Sequence, residues 1–183
     1  MSVITQAATQ MQLQPSAQSL LTAGMSPHAA VQALLDADYP QDALKLLARL
    51  LPKRYAVAWL CQCAAGLTLD ARDRLGLSLA QAWVSEPDES HRRAALDFAT
   101  ADRCRSIGAW LAAAAGWSSG SVGPLGHEPP APAAEHLTAC AAVAAITRLS
   151  ALVITQFVER RDRFVRRALS LLPTSATDLE AEA

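Results

Sequence analysis

Apolar residues recur along most of this chain at intervals of three and four, the spacing that places them on one face of an α-helix. The pattern begins at Ser26, where a serine and a proline favour a helix start, and it continues to Leu172. Pro40, Pro52 and Gly66 divide it into short segments. It predicts an all-α protein, an irregular bundle of about seven helices in which short antiparallel pairs precede a long C-terminal helix.

The third and fourth predicted helices have the clearest boundaries. Pro52 and Gly66 delimit the third helix, over residues 53–65. The fourth follows Asp70, whose carboxylate is a good N-cap. We expect the fourth helix to bury the face formed by Leu75, Leu79, Ala82 and Trp83. A further break is expected at residues 100–102.

Residues 137–158 form the longest apolar run and contain no glycine or proline. Arg148 lies in the middle of the run, where a membrane span would pay about 2.5–3.5 kcal/mol for it, so we expect a buried bundle helix. Its alanines are expected to pack against those at 112–115. If the helix continued straight to Leu172 it would be about 55 Å long, more than a domain of about 40 Å accommodates. We therefore expect a bend near residues 148–150, or a projecting basic end.

Three segments lack the helical pattern. Residues 1–25 are Gln-rich and predicted to be a flexible lead, and residues 173–183 are predicted to be an acidic disordered tail. Residues 116–135 are rich in glycine and proline, but they include Trp117, which favours burial. This composition predicts an ordered crossover loop inside a single helical domain over residues 26–172.

Composition and charge narrow the function classes. The chain is 51% hydrophobic but only 5% aromatic, and its net charge of −1 gives no general attraction for nucleic acid. The four cysteines lie in helical patterns and are interpreted as core residues in a reducing, cytoplasmic protein. We predict no metal site, no cofactor and no catalytic residue, because the four histidines match no metal-ligand spacing and no catalytic motif occurs. Oligomeric state is left open.

Arginines concentrate at residues 159–167, with the sequence ERRDRFVRR. Glu159 with Arg163, and Asp162 with Arg166, are four residues apart and are expected to pair on a solvated helix face. The surplus of arginine suits an acidic protein partner, whereas nucleic acid would call for interleaved aromatic residues. Together with the crossover loop, this helix end supplies the candidate partner-binding residues: Trp117, Ser118, Ser119, Arg160, Arg163 and Arg167.

Several short segments, taken in order, carry a family resemblance. They are LPKRYAVAW from Leu51 with Cys61, AWV from Ala82 with Pro87, RRAA from Arg92, WSSGS from Trp117, and the proline-rich run into His136-Leu137-Thr138. The chain resembles a bacterial family of small all-helical proteins of unknown function found near type VI secretion genes. The resemblance covers about residues 30–145 and implies a cytoplasmic accessory role without catalytic residues.

These observations favour a non-enzymatic protein that binds another protein, as an adaptor or chaperone-like accessory of a type VI secretion system. One alternative is an enzyme that uses a Cys–His pair, in which Cys104 or Cys140 would be the nucleophile. Another is a structural oligomer that associates through the alanine-rich helix.

Overall fold

The computed structural model describes residues 2–22, 24–123 and 132–175, and within these residues the chain is all-α. This confirms the predicted class, but ten helices are present rather than about seven. They are α1 (Val3–Gln10), α2 (Pro15–Gln18), α3 (Pro27–Asp36), α4 (Pro40–Leu50), α5 (Lys53–Ala65), α6 (Ala71–Ser85), α7 (Glu89–Asp102), α8 (Ile107–Gly116), α9 (Leu137–Ala151) and α10 (Phe157–Leu169). A short 3-10 turn, Ile154–Gln156, joins α9 to α10.

Helix α8 lies at the centre of the molecule. Every residue of α8 is buried except Trp110, and the helix packs against α5, α6, α7 and α9. Its sequence, IGAWLAAAAG, is mostly alanine and glycine, so its neighbours approach closely on several sides. On the α9 side, Thr138 Oγ1 donates a hydrogen bond of 3.2 Å to the Ala114 carbonyl. The expected packing between the two alanine-rich helices is therefore present.

Helices α6 and α8 cross where a glycine of one helix meets a glycine of the other. A Cβ atom built on Gly76 would lie 2.1 Å from the carbonyl oxygen of Gly108, so the two backbones leave no room for a side chain. Beside the crossing, the buried Asp73 accepts a hydrogen bond of 2.8 Å from the Gly108 N–H, one of the free amides at the start of α8.

This crossing gives α6 a different buried face from the predicted one. The buried residues of α6 are Asp73, Gly76, Leu77, Ala80 and Trp83. Leu75, which was expected inside, is 52% exposed, and Leu79 and Ala82 are only partly buried. The prediction was wrong because close backbone approach at Gly76, rather than the bulk of the leucines, orients this helix.

The N-terminal segment also differs from the predicted flexible lead. Within residues 2–22, Ser2 caps α1, and the apolar residues of α1 and the following turn are buried: Ile4, Ala7, Ala8, Met11 and Leu13. Arg49 Nε donates a hydrogen bond of 2.7 Å to Gln10 Oε1, which fastens α1 to α4. Ile4, Ala7, Ala8 and Met11 follow helical spacing, but the surrounding glutamines obscure the stripe in the sequence.

The expected bend in the C-terminal helix is present, slightly later than predicted. The axes of α9 and the segment Ile154–Leu169 differ by 114°, and the break falls at Leu152 and Val153. Val153, Ile154 and Thr155 are three consecutive β-branched residues, which are weak helix formers. Just before them, the Ser150 hydroxyl donates to the Ile146 carbonyl at 2.7 Å, a contact that bends helices.

The bend also bears on the expectation of no membrane span. Among the described residues, no single helix has both the length and the apolar character needed to cross a bilayer. The bent pair made by α9 and Ile154–Leu169 meets those two criteria only when its halves are counted together.

After α10 the chain returns to α3, where the His28 N–H donates a hydrogen bond of 3.2 Å to the Pro173 carbonyl. Most of the predicted acidic tail, residues 176–183, lies outside the described residues, as do residues 124–131 of the crossover loop.

Candidate interaction surface

Arg92 holds the start of the crossover loop against α7. Its side chain is 1% exposed, and its NH1 group donates a hydrogen bond of 2.7 Å to the Gly116 carbonyl. Its NH2 group reaches the Ser121 carbonyl at 3.2 Å, and the guanidinium also forms a two-point ion pair with Glu89. Next to it, Arg93 NH1 donates to the Gly123 carbonyl at 2.9 Å. The described part of the loop at residues 117–123 is therefore packed.

The loop residues proposed as partner contacts are not equally accessible. The Trp117 ring is partly buried and meets Trp110 edge-on, with ring centroids 6.1 Å apart. Ser118 is buried, and its carbonyl accepts a hydrogen bond of 2.7 Å from Lys53 Nζ. Ser119 is exposed. Trp117 and Ser118 thus fix the loop to α8 and α5, and Ser119 is the most accessible of the three.

The predicted arginines of α10 lie in different environments. Arg163 is exposed and pairs with Glu159 at 2.6 Å, as expected. Asp162 pairs with Arg161 at 2.9 Å rather than with Arg166, so the second expected pair is wrong. Arg161 is buried, and its guanidinium carbon lies 5.7 Å from the centroid of the Phe157 ring.

The other two predicted arginines of α10, Arg160 and Arg167, have no acidic partner on that helix. Arg167 is exposed, and Arg160 is half-buried with Nε and Nη2 atoms that have no hydrogen-bond partner. Within the described residues, neither Arg160, Arg166 nor Arg167 has a carboxylate partner. The helix therefore keeps a net positive face.

The loop and α10 contact different parts of α5. Lys53, which binds the loop at the Ser118 carbonyl, begins α5. Trp59 Nε1, six residues further along, donates a hydrogen bond of 3.0 Å to the Phe164 carbonyl of α10. Six residues of helix span about 9 Å, so the loop and α10 contact α5 at points nearly two helical turns apart.

Sequence reasoning missed an exposed apolar group at the α9–α10 bend. It consists of Leu152, Val153, Ile154 and Val158, which are 43%, 38%, 75% and 59% exposed. We call these four residues the apolar corner. They lay inside the run predicted to be a buried helix, and the bend turns them outward. In the sequence, the three consecutive β-branched residues at 153–155 indicated that the helix could break here.

Three potential metal ligands come together at the start of α7. Ligand atoms of Glu86, Asp88 and His91 lie within 4.8 Å of one another, the one such group among the described residues. Asp88 caps α7 by accepting a hydrogen bond of 2.8 Å from the His91 N–H, and this bond is the main reason its pKa is lowered. The ring nitrogen His91 Nδ1 lies 2.9 Å from the same carboxylate. Helix capping accounts for this arrangement.

The four cysteines have unfavourable surroundings for thiolate chemistry. Burial raises the pKa of Cys61 to about 12 and that of Cys63 to about 12. Burial also raises the pKa of Cys104 and of Cys140, which are partly accessible. Cys140 follows His136 by four residues, but their side chains form no hydrogen bond.

These pKa values predict slow thiol titration of the folded protein. At pH 8 a thiol with a pKa near 12 is about 0.01% thiolate, so Cys61 and Cys63 should not react with a chromogenic disulfide, and Cys104 and Cys140 should react more slowly than glutathione. The control is the same protein unfolded in guanidinium chloride, in which all four thiols should react rapidly. A native thiol that outpaces glutathione would contradict this prediction and favour the Cys–His alternative.

Together, these features define an all-helical protein with a pinned loop and an outward-facing apolar corner beside a basic helix. The chain belongs to the family of unknown function DUF6931, whose model matches residues 30–172. The predicted membership of a family of unknown function is thereby confirmed. Neither a curated protein nor a solved structure matches the chain.

Proposed function

We propose that this protein is a non-enzymatic, protein-binding accessory protein whose partner docks on the apolar corner and the adjoining basic face of α10. The apolar corner is the observation that supports this most directly. Large exposed aliphatic side chains at adjacent positions are costly in water and commonly mark interaction sites. Ile154, at 75% exposed, is the most accessible of the large hydrophobic residues described.

The charges beside the corner specify the chemistry of the partner. Helix α10 carries five arginines and two acidic residues, whereas the whole chain has a net charge of −1. A partner that presents an apolar patch with carboxylates at its rim would bury the corner and compensate Arg166 and Arg167. The predicted contacts Arg160, Arg163 and Arg167 belong to this surface. Trp117, Ser118 and Ser119 would then serve to fix the loop, outside the main contact.

We expect Ile154→Asp to weaken partner binding strongly without loss of stability, because a charge at the centre of an apolar contact must be desolvated without compensation. The measurement is quantitative affinity purification from the native host, followed by binding of the recovered partner to purified protein. Binding should weaken about 100-fold, the effect of losing a central contact worth about 3 kcal/mol.

Leu75→Asp is the matched control, because Leu75 is a similarly large exposed residue on α6, away from the corner. It should recover the same partner as the native protein. If both substitutions leave recovery unchanged, or both reduce it equally, the proposed docking surface is wrong.

The proposed setting, a bacterial cytoplasm and a type VI secretion system, rests on the family resemblance and is separable from the docking surface. A partner that belongs to a secretion apparatus would support it. A partner lost on Ile154→Asp that has no connection with secretion would overturn the setting and keep the surface.

The two alternatives have less support. A structural oligomer would need the alanine face of α9, but Ala139, Ala141, Ala142 and Ala145 are buried within one chain. A Cys–His enzyme would need a reactive thiolate, which burial disfavours at each cysteine.

A further inference from the structure

A polar pocket lies where α7 turns into α8. Its volume is about 510 Å³, and it is lined by Arg72, Ala101, Asp102, Arg103, Arg105 and Ser106. It is a shallow depression open to solvent rather than an enclosed cavity. Arg72 comes from α6, and the other residues come from the end of α7 and the turn that leads to α8.

The pocket is positively charged. Three arginines and one aspartate line it, which leaves a net charge of +2. Arg148 of α9 adds a further cation beside it, because its NH1 group donates a hydrogen bond of 3.0 Å to the Arg105 carbonyl. On a chain whose total charge is −1, this is a marked local concentration of guanidinium groups.

Asp102 reduces the positive charge of the pocket without cancelling it, since three arginines line the pocket, and its oxygens are already engaged. Asp102 Oδ2 accepts hydrogen bonds of 2.9 Å from the Arg105 N–H, 2.8 Å from the Ser106 N–H and 2.9 Å from the Ser106 hydroxyl. Its Oδ1 atom pairs with Arg72 Nε. Burial by itself raises the pKa of Asp102, but these hydrogen bonds and the Arg72 charge outweigh burial and lower it. Asp102 therefore positions Arg72 and the turn.

Arg103 and Arg105 keep their guanidinium groups free. Both side chains are exposed, and neither has a hydrogen bond or ion pair within the described residues. Arg103 and Cys104 both adopt the left-handed conformation, with φ of 54° and 51°. Two consecutive residues other than glycine in this region are uncommon and carry a conformational cost. The turn thus places two unpaired guanidinium groups at one pocket.

We propose that this pocket binds a small molecule that carries a phosphate or diphosphate group. A guanidinium group presents paired N–H donors that match two phosphate oxygens, and two unpaired arginines that line the same pocket suit a diphosphate. The pocket is larger than an inorganic phosphate, so it has space for an organic group attached to the anion. This inference is independent of the proposed protein partner.

The test is isothermal titration calorimetry with pyrophosphate and, separately, with ADP, at an ionic strength held constant with sodium chloride. The double variant Arg103→Asn/Arg105→Gln removes both free guanidinium groups, and asparagine tolerates the left-handed conformation at position 103. We expect it to weaken binding about tenfold or more, as the loss of charge-assisted hydrogen bonds implies. If ADP binds more tightly than pyrophosphate, the pocket also contacts the organic group attached to the phosphates. If the two affinities are equal, the pocket binds the free anion.

Arg166→Gln/Arg167→Gln is the matched control, since it removes the same charge from exposed positions on α10. It should change the affinity less than about twofold, the small effect expected of distant screened charges. Amide chemical-shift changes on titration should fall around Arg72 and Ser106. An equal loss in both double variants, shift changes elsewhere, or no saturable heat with either ligand up to about 10 mM overturns the proposal.

Discussion

Gly76→Ala should destabilise the protein by about 3 kcal/mol or more, although alanine is the better helix former. The added Cβ atom would lie 2.1 Å from the Gly108 carbonyl oxygen and 2.3 Å from the Gly108 carbonyl carbon. Both atoms belong to the backbone of the central helix, so neither can rotate away, and α6 and α8 must separate. Overpacking of this kind costs about 1–3 kcal/mol and occasionally more. In an exposed helix the same change would be stabilising by about 1 kcal/mol. A loss of stability would therefore indicate the close contact between α6 and α8.

Gly66→Ala is the control for Gly76→Ala. Gly66 ends α5 with a φ of −91°, which alanine adopts readily, and nothing lies within 4 Å of the position that its Cβ atom would occupy. Its free energy of unfolding should change by no more than about 0.5 kcal/mol, as for other surface substitutions. Urea denaturation of both variants tests this. Equal stability of Gly76→Ala and the native protein would mean that α6 and α8 do not cross as described.

Arg92→Met should destabilise the protein by about 3 kcal/mol and release the start of the crossover loop. Methionine fills much of the same space but leaves the buried Gly116 carbonyl without its donor, at a cost of about 1–3 kcal/mol, and the part-buried Ser121 carbonyl without its donor at a smaller cost. The ion pair with Glu89 contributes less, because the Glu89 side chain is 66% exposed and is therefore well solvated without its partner. Urea denaturation measures the loss, and amide hydrogen exchange over residues 118–123 measures the release.

Arg93→Met makes the same substitution at the neighbouring position. Arg93 is half-buried and donates a single hydrogen bond to the loop, at the Gly123 carbonyl, so the cost should be about 1 kcal/mol or less. If the two variants lose equal stability, or if the loop amides exchange no faster in Arg92→Met, the role assigned to Arg92 is wrong.

The chain offers clear examples of what local signals predict. Helix α5 begins at Lys53 and ends at Ala65, the predicted limits, because Pro52 and Gly66 are adjacent in sequence to the residues they delimit. The Asp70 side chain caps α6 as expected, at 2.8 Å from the Asp73 N–H. Such interactions span three or four residues, so the sequence contains both partners within one turn of helix.

Other features depend on residues far apart in the chain. The buried face of α6 is set by Gly108, thirty-two positions after Gly76, and hydrophobic size alone pointed to Leu75 instead. The basic pocket joins Arg72 to Arg103 and Arg105, a spacing that corresponds to no motif. In the sequence Arg92 stands out only as part of a family pattern, and its contacts with the Gly116 and Ser121 carbonyls explain why a buried arginine is present.

The amino-acid sequence by itself determined the all-α class, the limits of α5, the cap of α6, the excessive length of a straight C-terminal helix and the basic character of α10. These follow from periodicity, capping residues and chain length, which act over a few residues or over the molecule as a whole. The tertiary structure alone decided that the bend turns Ile154 outward, that α6 and α8 meet at glycine, and that guanidinium groups from α6 and the α7–α8 turn share one pocket. These features arise from contacts between helices, and helical spacing shows which residues share a face but not which helix that face will meet.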